Sequence, residues 1–214
     1  MKLEIGQGIF GQDLDEVYGN LFENIRIPRI EKALYILIRT TSRSVVAAKD
    51  THCVDIILKN TSDLKKVAIV GSKLPVTYMI RIKNRYPDVE FVTINDSEMM
   101  VMSETYLKGL FNYTNYNINP IFNDLTNHIK DCDIVIYPET ELLVPFKHLR
   151  YRHSMPYFCA NFIYYPNIVN TNEIYSEEDL LEVCDIKNVI VRGSKRVIFS
   201  GNSKKYYYAL GYGS

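Results

Sequence analysis

Residues 66–75 read Lys66-Val67-Ala68-Ile69-Val70-Gly71-Ser72-Lys73-Leu74-Pro75. Val67–Val70 is a compact apolar run with three β-branched members, as a strand covered on both faces requires. Gly71-Ser72 then turns the chain, and Pro75 is suited to open a helix that ends near Pro87. The same alternation continues. Val89-Glu90-Phe91-Val92-Thr93-Ile94 is a second strand-like run, and a helix carrying Met99, Met102, Tyr106, Leu107 and Leu110 follows it. A polar Asn/Tyr loop leads to a weaker strand over Ile118–Phe122, where Pro120 suits an edge. Asp133–Tyr137 and Tyr157–Ile163 are the next strands, and Ser176 caps a short helix through Cys184. Buried strands alternating with helices predict a mostly parallel sheet with right-handed crossovers, Val67–Val70 central and helices on both faces.

The two ends depart from that rhythm. Lys187–Arg192, Lys195–Ser200 and Lys205–Gly211 are strand-like runs separated by Gly193-Ser194 and Gly201-Asn202-Ser203, which predicts an antiparallel meander joined by hairpins. The first sixty residues carry helical spacing instead. Asp13–Glu16 has capping-box form ahead of Leu14, Val17, Tyr18, Leu21 and Ile25. Pro28 opens a second stripe, and residues 46–58 give a third helix. The expected organisation is a helical N-terminal segment over residues 1–64 and an α/β, Rossmann-like domain over 65–214.

Composition narrows the function classes. Among 214 residues, 25 basic and 25 acidic side chains cancel, which argues against a broad nucleic-acid footprint. No apolar run approaches the roughly 18–20 residues needed to cross a bilayer, and Met1–Gly6 shows no basic region leading into an apolar core. The chain therefore reads as soluble and cytoplasmic. Cys53, Cys132, Cys159 and Cys184 have no paired metal-ligand spacing, nor do the histidines, so the thiols read as small core hydrophobes and no metal site is expected.

In an open parallel sheet, ligands bind beyond the C-terminal ends of the strands, near the switch in strand order. That rule selects four segments. Gly71-Ser72-Lys73-Leu74-Pro75 offers a tight turn and helix N-terminal N–H groups, suited to a carboxylate or phosphate. Asn95-Asp96-Ser97 places a polar or acidic group where a ribose diol would be held. Asn123-Asp124 can bind an exocyclic amine. Tyr137-Pro138-Glu139-Thr140-Glu141 supplies Tyr137, Glu139 and Glu141 as groups able to deprotonate an acceptor. Lys147, His148, Arg150, Arg152 and His153, interleaved with Phe146 and Tyr151, form the one local basic cluster. It is either a solvated loop or a lip for an anionic acceptor, with Lys147, Arg150 and Arg152 as its contacts.

Taken in order, these segments resemble the nucleoside-binding core of the S-adenosylmethionine-dependent methyltransferase superfamily. Val67–Ser72 looks like its first motif, Ile94–Met100 like its strand-two stretch, Phe122–Leu125 like its third motif, and Asp133–Tyr137 like its fourth strand. The resemblance covers roughly residues 65–212. It implies that S-adenosylmethionine is the cofactor and that Gly71, Ser72, Lys73, Asn95 or Asp96, Asn123 and Asp124 hold it. Lys66–Thr77 is also similar to the strand-loop-helix of the nicotianamine synthase group, which transfers the aminocarboxypropyl arm of the same cofactor. The first motif departs from the superfamily pattern, with one glycine and Lys73 where another is expected. Two further readings therefore stand beside methyl transfer: a Rossmann-like protein without cofactor, and aminocarboxypropyl transfer.

Overall fold

The computed structural model describes residues 45–72, 75–95, 111–120, 124–139, 155–162, 174, 176–199 and 202–213. The expected helices before residue 45 and over residues 99–110 lie outside them. In chain order the elements are α1 (Val45–Asn60), β1 (Lys66–Val70), α2 (Val76–Arg85), β2 (Glu90–Ile94) and β3 (Asn112–Tyr116). They continue with α3 (Thr126–Ile129), β4 (Ile134–Tyr137), β5 (Tyr157–Phe162), α4 (Glu177–Val183), β6 (Asn188–Phe199) and β7 (Asn202–Tyr212).

The seven strands form one sheet in the order β3-β2-β1-β4-β5-β7-β6. β1 pairs in parallel with β2 and β4, β2 with β3, and β4 with β5, while β7 runs antiparallel to both β5 and β6. The chain therefore leaves β1 toward β2 and β3 and returns across β1 to β4, which puts the switch in strand order between β1 and β4. Apart from the inserted antiparallel β7, this is the doubly wound order.

The pleat sorts the apolar run of β1 into two cores. Val67 and Ile69 face the layer of α1 and α2, with Ile57, Tyr78, Met79 and Ile82. Ala68 and Val70 face the layer of α3 and α4, with Ile129, Leu180 and Cys184. Period two on a strand sends successive side chains to opposite faces, so a run that is apolar throughout must be covered twice. α2 ends where Tyr86, which precedes Pro87, leaves helical geometry at φ −129° and ψ 86°. α4 begins at a complete capping box: Asp179 N–H donates to Ser176 Oγ at 3.0 Å, and Ser176 N–H donates to Asp179 Oδ2 at 2.9 Å. All four cysteines are free and buried. Among the described residues no helix is long and apolar enough to cross a membrane.

Two expectations need correction. The third strand is Asn112–Tyr116, in the stretch read as a polar loop; Ile118 and Pro120 lie beyond it. β3 is an edge strand with Tyr113 buried and Asn112 and Thr114 exposed, so it lacks the apolar run that marks the inner strands. Pairing in register with β2 fixes it instead, aided by a 2.8 Å hydrogen bond from Thr93 Oγ1 to Asn115 Oδ1. The C-terminal meander of three strands is a hairpin of two, because Gly193-Ser194 stays inside β6 opposite Tyr208 and Tyr207. Gly193 is there for space: a β-carbon would lie 2.5 Å from the Tyr208 hydroxyl and 2.8 Å from its ring.

Candidate functional site

The parallel register aligns the strand ends. Val70 lies beside Ile94 and Ile94 beside Tyr116, while Ile69 lies beside Ile136, so Gly71, Asn95 and Pro138 emerge along one edge. Gly71 has φ 74°, in the left-handed region that favours glycine, and its N–H donates to the Ile94 carbonyl at 2.9 Å. The buried Asn95 side-chain amide donates to the Ser72 carbonyl, and its backbone N–H donates to the Tyr116 carbonyl at 3.1 Å. The turn after β1 is thus knitted to the outlets of β2 and β3, with Asn95 as the rivet. Lys73, Asp96 and Asn123 lie outside the described residues, as do Glu141, Lys147, Arg150 and Arg152.

Asp124 is exposed at the start of α3. Its Oδ1 accepts from the Thr126 hydroxyl at 2.6 Å and the Thr126 N–H at 2.9 Å, and these bonds hold the carboxyl below its usual range. Its visible task is the turn that opens that helix. Tyr137 does not suit the acceptor-deprotonating role expected of it. Its ring is buried in the α3/α4 layer, edge-on to Tyr157 at 6.4 Å, and burial pushes its hydroxyl well above the ordinary phenol range. Such a phenol keeps its proton at neutral pH. Of the three acceptor-deprotonating candidates, the half-buried Glu139 just beyond β4 is the one described whose type suits the task.

Sequence reasoning missed the polar cluster above this edge. Lys49 and Asp50, on α1, are both buried and lie 3.6 Å apart as an ion pair. Lys49 Nζ donates to the Pro138 carbonyl just after β4. Asp50 Oδ1 accepts from the Tyr78 hydroxyl at 3.2 Å, and Tyr78 stands in the first turn of α2, the helix that follows Gly71 and Ser72. Burial pushes the Asp50 carboxyl up to about 6, against the pull of Lys49 and with a further push from Glu139. The available signal was helical spacing: Lys49 and Asp50 fall one turn before Cys53 and Val54, on the buried stripe of α1. A turn further along, His52 Nδ1 shares a hydrogen bond with the Tyr206 hydroxyl, and the imidazole meets Tyr206 and Tyr208 edge-on at 5.9 and 5.4 Å.

These two groups give opposite pH dependences. Asp50 holds a proton in the folded chain up to about pH 6 that the unfolded chain releases near 3.8. Its contribution is present at low pH and is lost as pH rises from about 4 through 6. His52 is pulled down to about 4, by burial first and by Lys195 second, so its contribution is present above about 6.5 and is lost as pH falls toward 4. It is the smaller effect, because the partly exposed ring is screened by water. Urea denaturation between pH 4 and 6.5 should separate them. Asp50→Asn is expected to leave stability rising with pH, and His52→Phe to leave it falling. Identical slopes in both variants would contradict the assignment.

No family model and no curated protein matches the sequence. Solved structures do resemble it. The O-methyltransferase TomG from Streptomyces achromogenes, involved in tomaymycin synthesis and crystallised with S-adenosylmethionine, is 10% identical with a TM-score of 0.54, over 94% of this chain and 96% of that one. The N-terminal domain of EvdMO1, crystallised in the presence of S-adenosylhomocysteine and D-fucose, is 11% identical with a TM-score of 0.51, over 78% and 83%. Coclaurine N-methyltransferase, bound to N-methylheliamine and S-adenosylhomocysteine, is 13% identical with a TM-score of 0.51, over 69% and 51%. At these identities the likeness establishes the fold: a Rossmann-like, mostly parallel sheet with antiparallel C-terminal strands, shared with S-adenosylmethionine-dependent methyltransferases.

Proposed function

We propose that the protein is an S-adenosylmethionine-dependent methyltransferase acting on an unidentified small-molecule acceptor. The observation that carries the reading is the edge between β1 and β4. There the switch in strand order coincides with a left-handed glycine turn at Gly71 and a half-buried carboxylate at Glu139. The fold neighbours crystallised with S-adenosylmethionine or S-adenosylhomocysteine support it.

The residues fit such a ligand. Gly71 offers a backbone turn without a β-carbon, and the Asn95 bond to Ser72 keeps that turn in place. In this reading Gly71, Ser72 and Lys73 hold the amino-acid end of the cofactor, Asp96 or Asn95 the ribose, and Asn123 with Asp124 the adenine. When bound, S-adenosylmethionine supplies the methyl group together with its leaving group. The chain's own tasks are to align the acceptor, exclude water, and take a proton on Glu139 or Glu141 where the acceptor carries one. Lys147, Arg150 and Arg152 would meet an anionic acceptor.

Calorimetric titration with S-adenosylmethionine and S-adenosylhomocysteine tests this reading. Gly71→Val should abolish binding, because a β-branched side chain meets both the pocket and the left-handed backbone. Asp96→Ala should weaken binding about tenfold to hundredfold without moving the thermal midpoint, from the loss of charge-assisted hydrogen bonds. Asn95→Ala should weaken binding and lower the midpoint together, because it releases the Ser72 carbonyl. Wild-type protein that binds neither compound at millimolar concentration would remove the reading.

A further inference from the structure

The Lys49–Asp50 pair raises a question of purpose. A buried ion pair is a weak source of stability, and apolar replacements of similar volume are often as good. This pair nevertheless reaches both sides of the switch between β1 and β4. Lys49 takes the Pro138 carbonyl at the outlet of β4, and Asp50 takes the Tyr78 hydroxyl in the first turn of the helix after β1. Its two members are adjacent in sequence and 3.6 Å apart, so the two outlets are referred to a single point on α1. Nearby, Arg81 on α2 pairs with Asp55 on α1, so the same two helices are joined again one turn on.

We propose that Lys49, Asp50 and Tyr78 form a clamp that fixes the outlets of β1 and β4 relative to each other at the proposed ligand edge. The three are positioning residues: they act through the segment that carries Glu139 and through the turn that carries Gly71 and Ser72. The inference rests on the cofactor reading above. It adds that α1, rather than the sheet alone, determines cofactor affinity.

The test separates the clamp from mere packing. Lys49→Met/Asp50→Leu removes both charges together and keeps the volume, so its thermal midpoint should stay within about 5 °C of wild type. Its affinity for S-adenosylhomocysteine should nevertheless fall at least tenfold, whereas the single variant Lys49→Arg, which keeps the charge, the donor and Asp50, should retain most of it. Tyr78→Phe removes one hydroxyl, folds whether or not the double variant does, and should lose affinity about threefold. Wild-type affinity in the double variant, or in Tyr78→Phe should the double variant not fold, overturns the clamp while leaving the cofactor reading intact. Absence of binding by the wild-type protein removes both.

Discussion

Replacing Gly211 by alanine should destabilise the protein by about 2–4 kcal/mol and lower its thermal midpoint by roughly 5–12 °C. Gly211 sits inside β7, paired with Tyr157 on one side and Val189 on the other. A β-carbon there would lie 2.5 Å from the Asn188 carbonyl oxygen, 2.7 Å from Ile186 Cγ2 and 3.1 Å from Val189 Cα. Two of the three obstacles are backbone of β6, which cannot yield without parting from β7. Gly193 is the internal control. A β-carbon at that position meets only the far end of the Tyr208 ring, which can swing, so Gly193→Ala should cost about 1 kcal/mol. Chemical denaturation of the two variants checks the contrast. Equal losses would mean that β6 and β7 are not held as described.

The second large effect concerns a charge left alone. Lys49→Met strands Asp50 in a buried site with the Tyr78 hydroxyl but without its ammonium partner, and such half-removals cost about 3–5 kcal/mol. The loss should be largest at pH 8 and should shrink toward pH 5. Asp50, already pushed up to about 6, escapes the penalty by binding a proton. The sign matters more than the size, because a loss independent of pH would point to packing rather than charge. Comparison with Lys49→Met/Asp50→Leu closes a double-mutant cycle, in which the second substitution should recover most of what the first one removes.

The inner strands were legible because both of their faces are buried. Val67–Val70, Phe91–Ile94 and Ile134–Tyr137 are short, mostly apolar, β-branched-rich runs bounded by turn residues, and the Ser176 cap was written in four residues. β3 was not legible. One partner and one buried face leave Asn112–Tyr116 with the composition of a loop, and only the register against β2 makes it a strand. Gly193 misled for a related reason: a glycine that makes room for a ring across the sheet looks in sequence like one that turns a hairpin. At the site, Gly71 was identified from local pattern alone. Asn95 was identified as a ligand contact, yet its visible partner is the Ser72 carbonyl, a bond across 23 positions of chain that no local pattern reveals. Lys49 and Asp50 were hidden more completely, since a charged pair on a helix reads as a solvated face until the partner segment, 89 positions away at Pro138, is in place.

The proposed function stands or falls on cofactor binding at the edge between the ends of β1 and β4. A crystal structure of the wild-type protein grown with saturating S-adenosylhomocysteine tests it most directly. The ligand is expected at that edge, against the Gly71-Ser72 turn and beside Pro138 and Glu139. No ligand at that edge, or the ligand bound elsewhere on the molecule, would contradict it.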